Sequence, residues 1–368
     1  MQTQQALPTA AVDRTRRITF LEGARGVAAF MVLAQHLIAD QYPGYRAWSH
    51  DWVDLGRVGV VAFFLVSGYV IPLSLAGQSL RAFAVRRFFR LYPVYWLAFA
   101  LYLLADPGAL GGAGAPVVLL NVAMLHGLVG ALSILPPAWT LSIELLFYVQ
   151  SAAAKAIRLL DTAVYAGYGW LALYLLLCVG EMTTGRDLPT TLPMLLFVAA
   201  LGHALHLRDA RGHRAWQGLL AAGAVAVPAG AYVGVDGGGE WPPFTYSASF
   251  LAGLALFGGF YVARRHRFGR TLVLLGAISY AVYLIHPIVM AVTERLTWLP
   301  DGWAVVAVDV AATTGIGWLV HRLLELPSIG VGRRLSRTRR SGEPAATPAA
   351  TPAAAAPVAP AAGNVSSV

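Results

Sequence analysis

Residues 56–76 read GRVGVVAFFLVSGYVIPLSLA, and Arg57 is the only charge among them. A helix of that length rises ~32 Å, enough to cross the ~30 Å hydrocarbon core of a bilayer. Apolar runs of similar length recur at 18–38, 88–105, 139–157, 162–180, 190–207, 216–234, 246–263, 271–293 and 303–324. The whole chain follows suit: of 368 residues, 57% are hydrophobic and 12% charged, about half the ~25% of a soluble domain. Mean hydropathy is +0.62. A soluble fold has no interior large enough for that much apolar surface. Disorder, a collagen-like fibre and a nucleic-acid-binding protein are excluded by the same figures.

An eleventh apolar run, 115–130, reads APVVLLNVAMLHGLVG, and charge decides whether it crosses. Arg14, Arg16 and Arg17 before the first run place the N-terminus inside by the positive-inside rule. The loop with Asp40, Asp51 and Asp54 then lies outside, and the segment with Arg81, Arg86, Arg87 and Arg90 lies inside. Working back from Arg333, Arg334, Arg337, Arg339 and Arg340 puts three more segments inside. They carry Arg264, Arg265, Arg267 and Arg270; Arg208, Arg211 and Arg214; and Lys155 with Arg158. These assignments agree only if an odd number of crossings separates 77–90 from 131–138. One crossing, 88–105, satisfies this. Sixteen residues give only about 24 Å of helix, so 115–130 reads as a short re-entrant or peripheral helix on the outer side. The expected fold is all-α: a polytopic membrane protein of about ten spans, both termini cytoplasmic, in the cell membrane.

Three segments follow: a cytoplasmic stretch 1–17, the membrane domain 18–325, and a tail 326–368 that is basic and then Ala/Pro-rich, expected to be disordered. No small-residue cleavage site follows the first run, so it reads as a span and not a cleaved signal. Lys155 is the sole lysine beside 26 arginines, a bias that suits a GC-rich genome and gives the net charge of +9 no bearing on nucleic acid. Cys178, the single cysteine, reads as a small buried hydrophobe; it allows no intrachain disulfide or thiolate metal site.

Ionisable groups inside a membrane are costly and mark function. Arg25, His36, Glu144 and His286 are the foremost, with Asp309 weaker. Arg25 and His36 are eleven residues apart, ~20° past three full turns and ~16.5 Å in rise, so they share a face at different depths. Their ordinary alternatives are a snorkelling anchor and an interfacial histidine. Glu144, in PAWTLSIELLFY, stands one turn from Tyr148; counted from the outer surface it lies about one and a half turns down. His286 ends a stripe with Ser279 and Tyr283. The count places His36, Glu144 and His286 within roughly one or two helix turns of one level. At the inner surface, RRFFRLYPVYW gathers Arg86, Arg87 and Arg90 at a helix start, a setting suited to phosphate. The alternative there is ordinary positive-inside charge, and for Glu144 and His286 a structural ion pair and a packing histidine.

Together these segments resemble the membrane acyltransferase-3 family. FLEGARGVAAFMVLAQH resembles its opening, with Arg25 and His36 at the signature positions. GVVAFFLVSGYVI resembles its second helix, Arg87 and Arg90 its arginine pair, and AWTLSIELLFY and SYAVYLIHPI its Trp-to-Glu and Tyr-to-His segments. The resemblance spans residues 20–290. It implies a ten-helix O-acyltransferase moving an acyl group, usually acetyl from acetyl-CoA or another acyl-CoA, to a hydroxyl of a carbohydrate, glycan, macrolide or other secondary metabolite. It implies His36 as the catalytic histidine with Arg25 assisting, Arg87 and Arg90 on the donor, and Glu144, Tyr283 and His286 as further site residues, with no metal. Two departures stand out. Val61 occupies a position where many relatives carry an acid, and no second catalytic domain follows the last span, so a stand-alone enzyme is expected.

Neutral His36 would take the proton of the acceptor hydroxyl as it attacks the thioester, with Glu144 orienting the imidazole and His286 or Tyr283 donating to the oxyanion. The competing route acylates His36 first. The reading from another class is a transporter or flippase that uses the same buried charges as a relay.

Overall fold

The computed structural model describes residues 9–234, 241–296 and 298–336. The regular elements among them are helical. They are α1 (Thr9–Gln41), α2 (Pro43–Asp51), α3 (Leu55–Ala76), α4 (Leu80–Ala105), α5 (Ala115–Val122), α6 (Trp139–Ala156) and α7 (Ala166–Thr184). They continue with α8 (Thr191–Arg211), α9 (Ala215–Gly234), α10 (Pro243–Val262), α11 (Arg270–Thr293), α12 (Trp303–Val320) and α13 (Leu326–Leu335). Eight helices are long and apolar enough to cross a membrane: α3, α4, α7 to α11, and the α12–α13 stretch. The protein is therefore a multi-pass helical membrane protein. The other two expected spans coincide with α1 and α6, whose apolar stretches carry Glu22, Arg25 and His36, and Glu144 and Lys155.

Helix does not stop at residue 325, where the membrane domain was expected to end. The chain runs from α12 through a π-helical turn, His321–Glu325, directly into α13. Pro327 follows the π turn immediately, and the widened turn accommodates a residue that cannot donate within continuous helix. His321 Nδ1 lies 2.8 Å from Glu325 Oε2 across the π turn, and Glu325 is buried. Residues 337–368, expected to be the Ala/Pro tail, lie outside the described residues.

Helix α1 packs between α3 and α11, and α3 in turn packs on α8 and α10. Glycine makes the α1–α11 approach close. A Cβ on Gly26 would stand 2.8 Å from the Gly276 nitrogen, and one on Gly276 would overlap the Glu22 carbonyl. On the other side, a Cβ on Gly59 of α3 would meet the Ala28 carbonyl at 2.5 Å. Helix α3 is mostly buried, yet Arg57, Val60, Phe63, Ser67 and Val70 are only half-buried. That spacing is one helical stripe. It faces open space inside the bundle, not a neighbouring helix.

The segment 115–138 does not cross the bundle. Helix α5 is eight residues, about 12 Å long. Its terminal carbonyls meet three donors from the middle of α4: Tyr95 Oη to Asn121 O at 2.6 Å, Tyr92 Oη to Ala123 O at 3.0 Å, and Trp96 Nε1 to Val122 O at 3.0 Å. The fully buried Asn121 then ties the returning chain, donating to Leu132 O and accepting from the Ile134 nitrogen. Non-helical backbone survives at membrane depth only with such partners, since each unpaired group costs several kcal/mol in hydrocarbon. The return ends at Pro137, whose carbonyl accepts from Tyr283 in α11 at 3.0 Å. Tyr283 stands ten residues, ~15 Å, before the end of α11. Helix α6 thus begins well inside the bundle.

Candidate active site

Two cavities lie along the α3 stripe. The smaller, ≈ 240 Å³, holds Arg25, Arg87, Arg90 and Glu144. The larger, ≈ 770 Å³, holds His36, His286, Asp54 and Arg57. Val60 and Tyr283 are the two residues that line both. Five helices line both cavities: α1 from Arg25 to His36, α3 from Ser67 up to Gly56, α4 from Arg90 to Tyr102, α6 from Glu144 back to Trp139, and α11 from Ser279 through Tyr283 to His286.

In the smaller cavity, Arg87 lies over the Phe83 and Tyr148 rings, 5.3 Å from each centroid. Among the described residues neither Arg87 nor Arg90 forms an ion pair with a carboxylate. Arg25 has a loose one, 3.8 Å from Glu22 on the preceding turn. Two half-buried guanidiniums without direct counter-ions favour an anion in this cavity. Glu144 Oε1 accepts from Tyr148 Oη at 2.6 Å and from Ser67 Oγ at 2.9 Å. Arg86, grouped with the arginine pair by sequence, points elsewhere. It is exposed and its Nε donates to Ser336 Oγ at 2.8 Å, fastening α4 to the end of α13.

In the larger cavity, the His36 and His286 rings stack, centroids 5.2 Å apart. His36 is exposed to the cavity, whereas His286 is buried. Asp54 caps α3 by accepting from the Arg57 backbone nitrogen at 2.5 Å, and Arg57 lies over Tyr246 at 4.4 Å. At the boundary, Tyr283 Oη donates to Pro137 O and lies 2.8 Å from Thr140 Oγ1, and Phe63 packs edge-on against its ring at 5.8 Å.

Arg25, Arg87, Arg90, Glu144 and Tyr283 therefore meet in one cavity, and His36, His286 and Tyr283 in the other. Thr140, one turn above Glu144, meets Tyr283, about one turn below His286, so Glu144 and His286 differ in level by about two turns. Because 115–138 turns back and delivers Trp139 within the bundle, Glu144 lines the arginine cavity and not the histidine cavity. The carboxylate beside His36 is Asp54, seen in sequence only as a loop charge. Glu22, three residues before Arg25, and Thr140, next to Trp139, were legible by spacing but not singled out. Asp309 is buried, with one carboxylate oxygen unpartnered, and lies outside both cavities. Among the described residues no three His, Cys, Asp or Glu side chains are placed to share a metal ion.

The chain is 28% identical over 375 residues to "Acyltransferase MdmB" of Streptomyces mycarofaciens, covering 87% of this chain and 94% of that protein. It is 33% identical over 181 residues to "Protein 2 in picA locus" of Rhizobium radiobacter, covering 42% of this chain and 83% of that protein. No solved structure matches it. The family model described as an acyltransferase domain, acyltransferase-3, matches residues 18–322, a span that contains the lining of both cavities and the turned-back segment. The chain thus belongs to the acyltransferase-3 family and is a membrane acyltransferase of groups other than aminoacyl.

Proposed function

We propose that the protein transfers an acyl group, acetyl in the first instance, from acyl-CoA held at the arginine cavity to a hydroxyl of an acceptor held in the histidine cavity. The observation that carries this is the division itself. Three arginines, two of them without a direct ion pair, line one cavity, and an accessible histidine lines the other, with Val60 and Tyr283 lining both. CoA is a phosphate-rich anion with a long flexible arm, which suits guanidiniums at one end of a path and chemistry at the other.

His36 takes the proton of the acceptor hydroxyl as its oxygen attacks the thioester carbonyl carbon. The tetrahedral oxyanion collapses, the C–S bond breaks, and the thiolate leaves with the proton that His36 returns. One ester forms and one thioester is lost, with no redox partner. His286 supports the His36 ring by stacking, and Asp54 supplies negative charge in the same cavity. Glu144, in the other cavity, acts on the donor side as a counter-charge to the arginines.

The larger cavity has room for a hydroxylated macrolide or a short glycan, and its aromatic and charged lining, Trp139, Tyr102 and Arg57 among it, suits either. Of these the macrolide or related secondary metabolite is the first candidate. The membrane is the cytoplasmic membrane, crossed ten times with both termini inside, so that the arginine cavity opens toward cytosolic acyl-CoA. The test uses purified protein in liposomes with acetyl-CoA and a panel of hydroxylated macrolides and glycans. Acceptor-dependent release of CoA thiol is expected; no release with any acceptor or with water would sink the reading.

A further inference from the structure

We infer that Val60, which with Tyr283 lines both cavities, sets the length of acyl chain the enzyme accepts. This rests on donor and acceptor occupying different cavities, as proposed above.

A residue that lines two cavities is a wall one side chain thick, and Val60 and Tyr283 are the two that do so. Tyr283 is held rigidly. Its hydroxyl is fixed by Pro137 O at 3.0 Å and Thr140 Oγ1 at 2.8 Å, and its ring is braced by Phe63. Moving it would break hydrogen bonds in a buried setting, where each orphaned polar group costs ~1–3 kcal/mol. Val60 has no polar tie, is half-buried, and stands on the cavity stripe of α3. It is the movable half of the partition only through its size, since a β-branched side chain in a helix is confined to one rotamer.

An acyl thioester that approaches from the arginine side must present its acyl end at this partition before the carbonyl can meet the acceptor. An acetyl group adds a single methyl beyond the carbonyl. Each further methylene must find room against Val60 and the fixed Tyr283 ring. Close-packed walls feel a change of one methylene, and one methylene in such a pocket alters kcat/KM by roughly 10–200-fold.

The experiment compares acetyl-, propionyl-, butyryl- and hexanoyl-CoA with the wild type, Val60→Ala and Val60→Phe, reading CoA thiol release on whichever acceptor or water the wild type uses. The wild type should favour the shortest chains. Val60→Ala should raise the butyryl-to-acetyl ratio of kcat/KM by about tenfold or more, and Val60→Phe should lower it. Val60→Ala removes bulk without adding any, so it tests the idea even if Val60→Phe fails to fold. Wild-type turnover with an acyl-length profile unchanged in folded Val60→Ala would overturn the inference while leaving the proposed reaction intact. Absence of wild-type turnover with any acyl-CoA would instead overturn the reaction, and this inference with it.

Discussion

The imidazole rings of His36 and His286 lie nearly parallel, 5.2 Å between centroids and 22° between planes, with His36 open to the larger cavity and His286 buried behind it. His286 belongs to α11 and His36 to α1, so the stack depends on the close glycine-mediated approach of those helices. A ring fixed in this way loses little orientational freedom when it meets a hydroxyl. His286→Ala should therefore lower kcat while leaving the KM for acyl-CoA unchanged. His286→Phe restores a flat platform without a nitrogen, and substantial recovery of kcat is expected. If His286→Phe were as slow as His286→Ala, a proton-handling role would replace the supporting one.

His36 itself carries the heavier expectation. Loss of a general base costs on the order of 10²–10⁴-fold in rate. His36→Gln keeps size and hydrogen bonding but cannot take a proton at neutral pH, so turnover should fall by that much with donor binding retained. Near-normal transfer by purified His36→Gln protein would remove His36 from the mechanism.

On the donor side, each charge-assisted contact is worth ~1.5–3 kcal/mol, or roughly 10–150-fold in affinity. Arg87→Ala and Arg90→Ala should each weaken acyl-CoA binding, measured by titration calorimetry in detergent. Arg86→Ala should not, because its guanidinium is turned to Ser336. Equal losses at all three positions would point to general surface charge and not to a built site.

Much of this was legible beforehand, because membrane helices must be written as long apolar runs and because ionisable residues within them stand out. The ten expected runs all coincide with helices. The shared face of Arg25 and His36, and the stripe Ser279–Tyr283–His286, follow from helical period alone. What period cannot give is where a helix starts in depth. The Asn121 hub and the Tyr92, Tyr95 and Trp96 donors that hold 115–138 against the bundle join residues up to about 30 positions apart, and the cavity that Glu144 enters depends on where they let α6 begin. The helix beyond Glu325 was hidden for a different reason: Pro327 signals a stop, and here a π turn just before it lets the helix continue.

Glu144 offers a direct test of that placement. Placed with the arginines, its carboxylate repels an incoming phosphate and partly neutralises Arg87 and Arg90. Glu144→Gln keeps an oxygen for Ser67 and Tyr148 but removes the charge. Donor affinity should rise modestly, by up to about fivefold if the interaction resembles a partly solvated ion pair of ~0.2–1 kcal/mol. A hundredfold loss of turnover with unchanged donor affinity would instead return Glu144 to the proton path of His36.

Sidedness is tested by single cysteines in a Cys178→Ala background, Cys178 being buried and the native thiol. Ile157, just past α6, and Leu132, in the turned-back segment, both have side chains free of the helix packing, 65% and 53% exposed respectively. The ten-span arrangement places 132 outside and 157 inside. In intact cells an impermeant maleimide should label Leu132→Cys and spare Ile157→Cys until the membrane is permeabilised. The positive-inside signal behind this comes from Lys155 and Arg158, and Lys155 also donates from α6 to the carbonyls of Leu75 and Gln78 at the end of α3. That contact puts the ends of α3 and α6 on one side. Labelling of 157 but not 132 from outside would invert the whole chain, turn the arginine cavity away from cytosolic acyl-CoA, and leave the proposed donor path without a source.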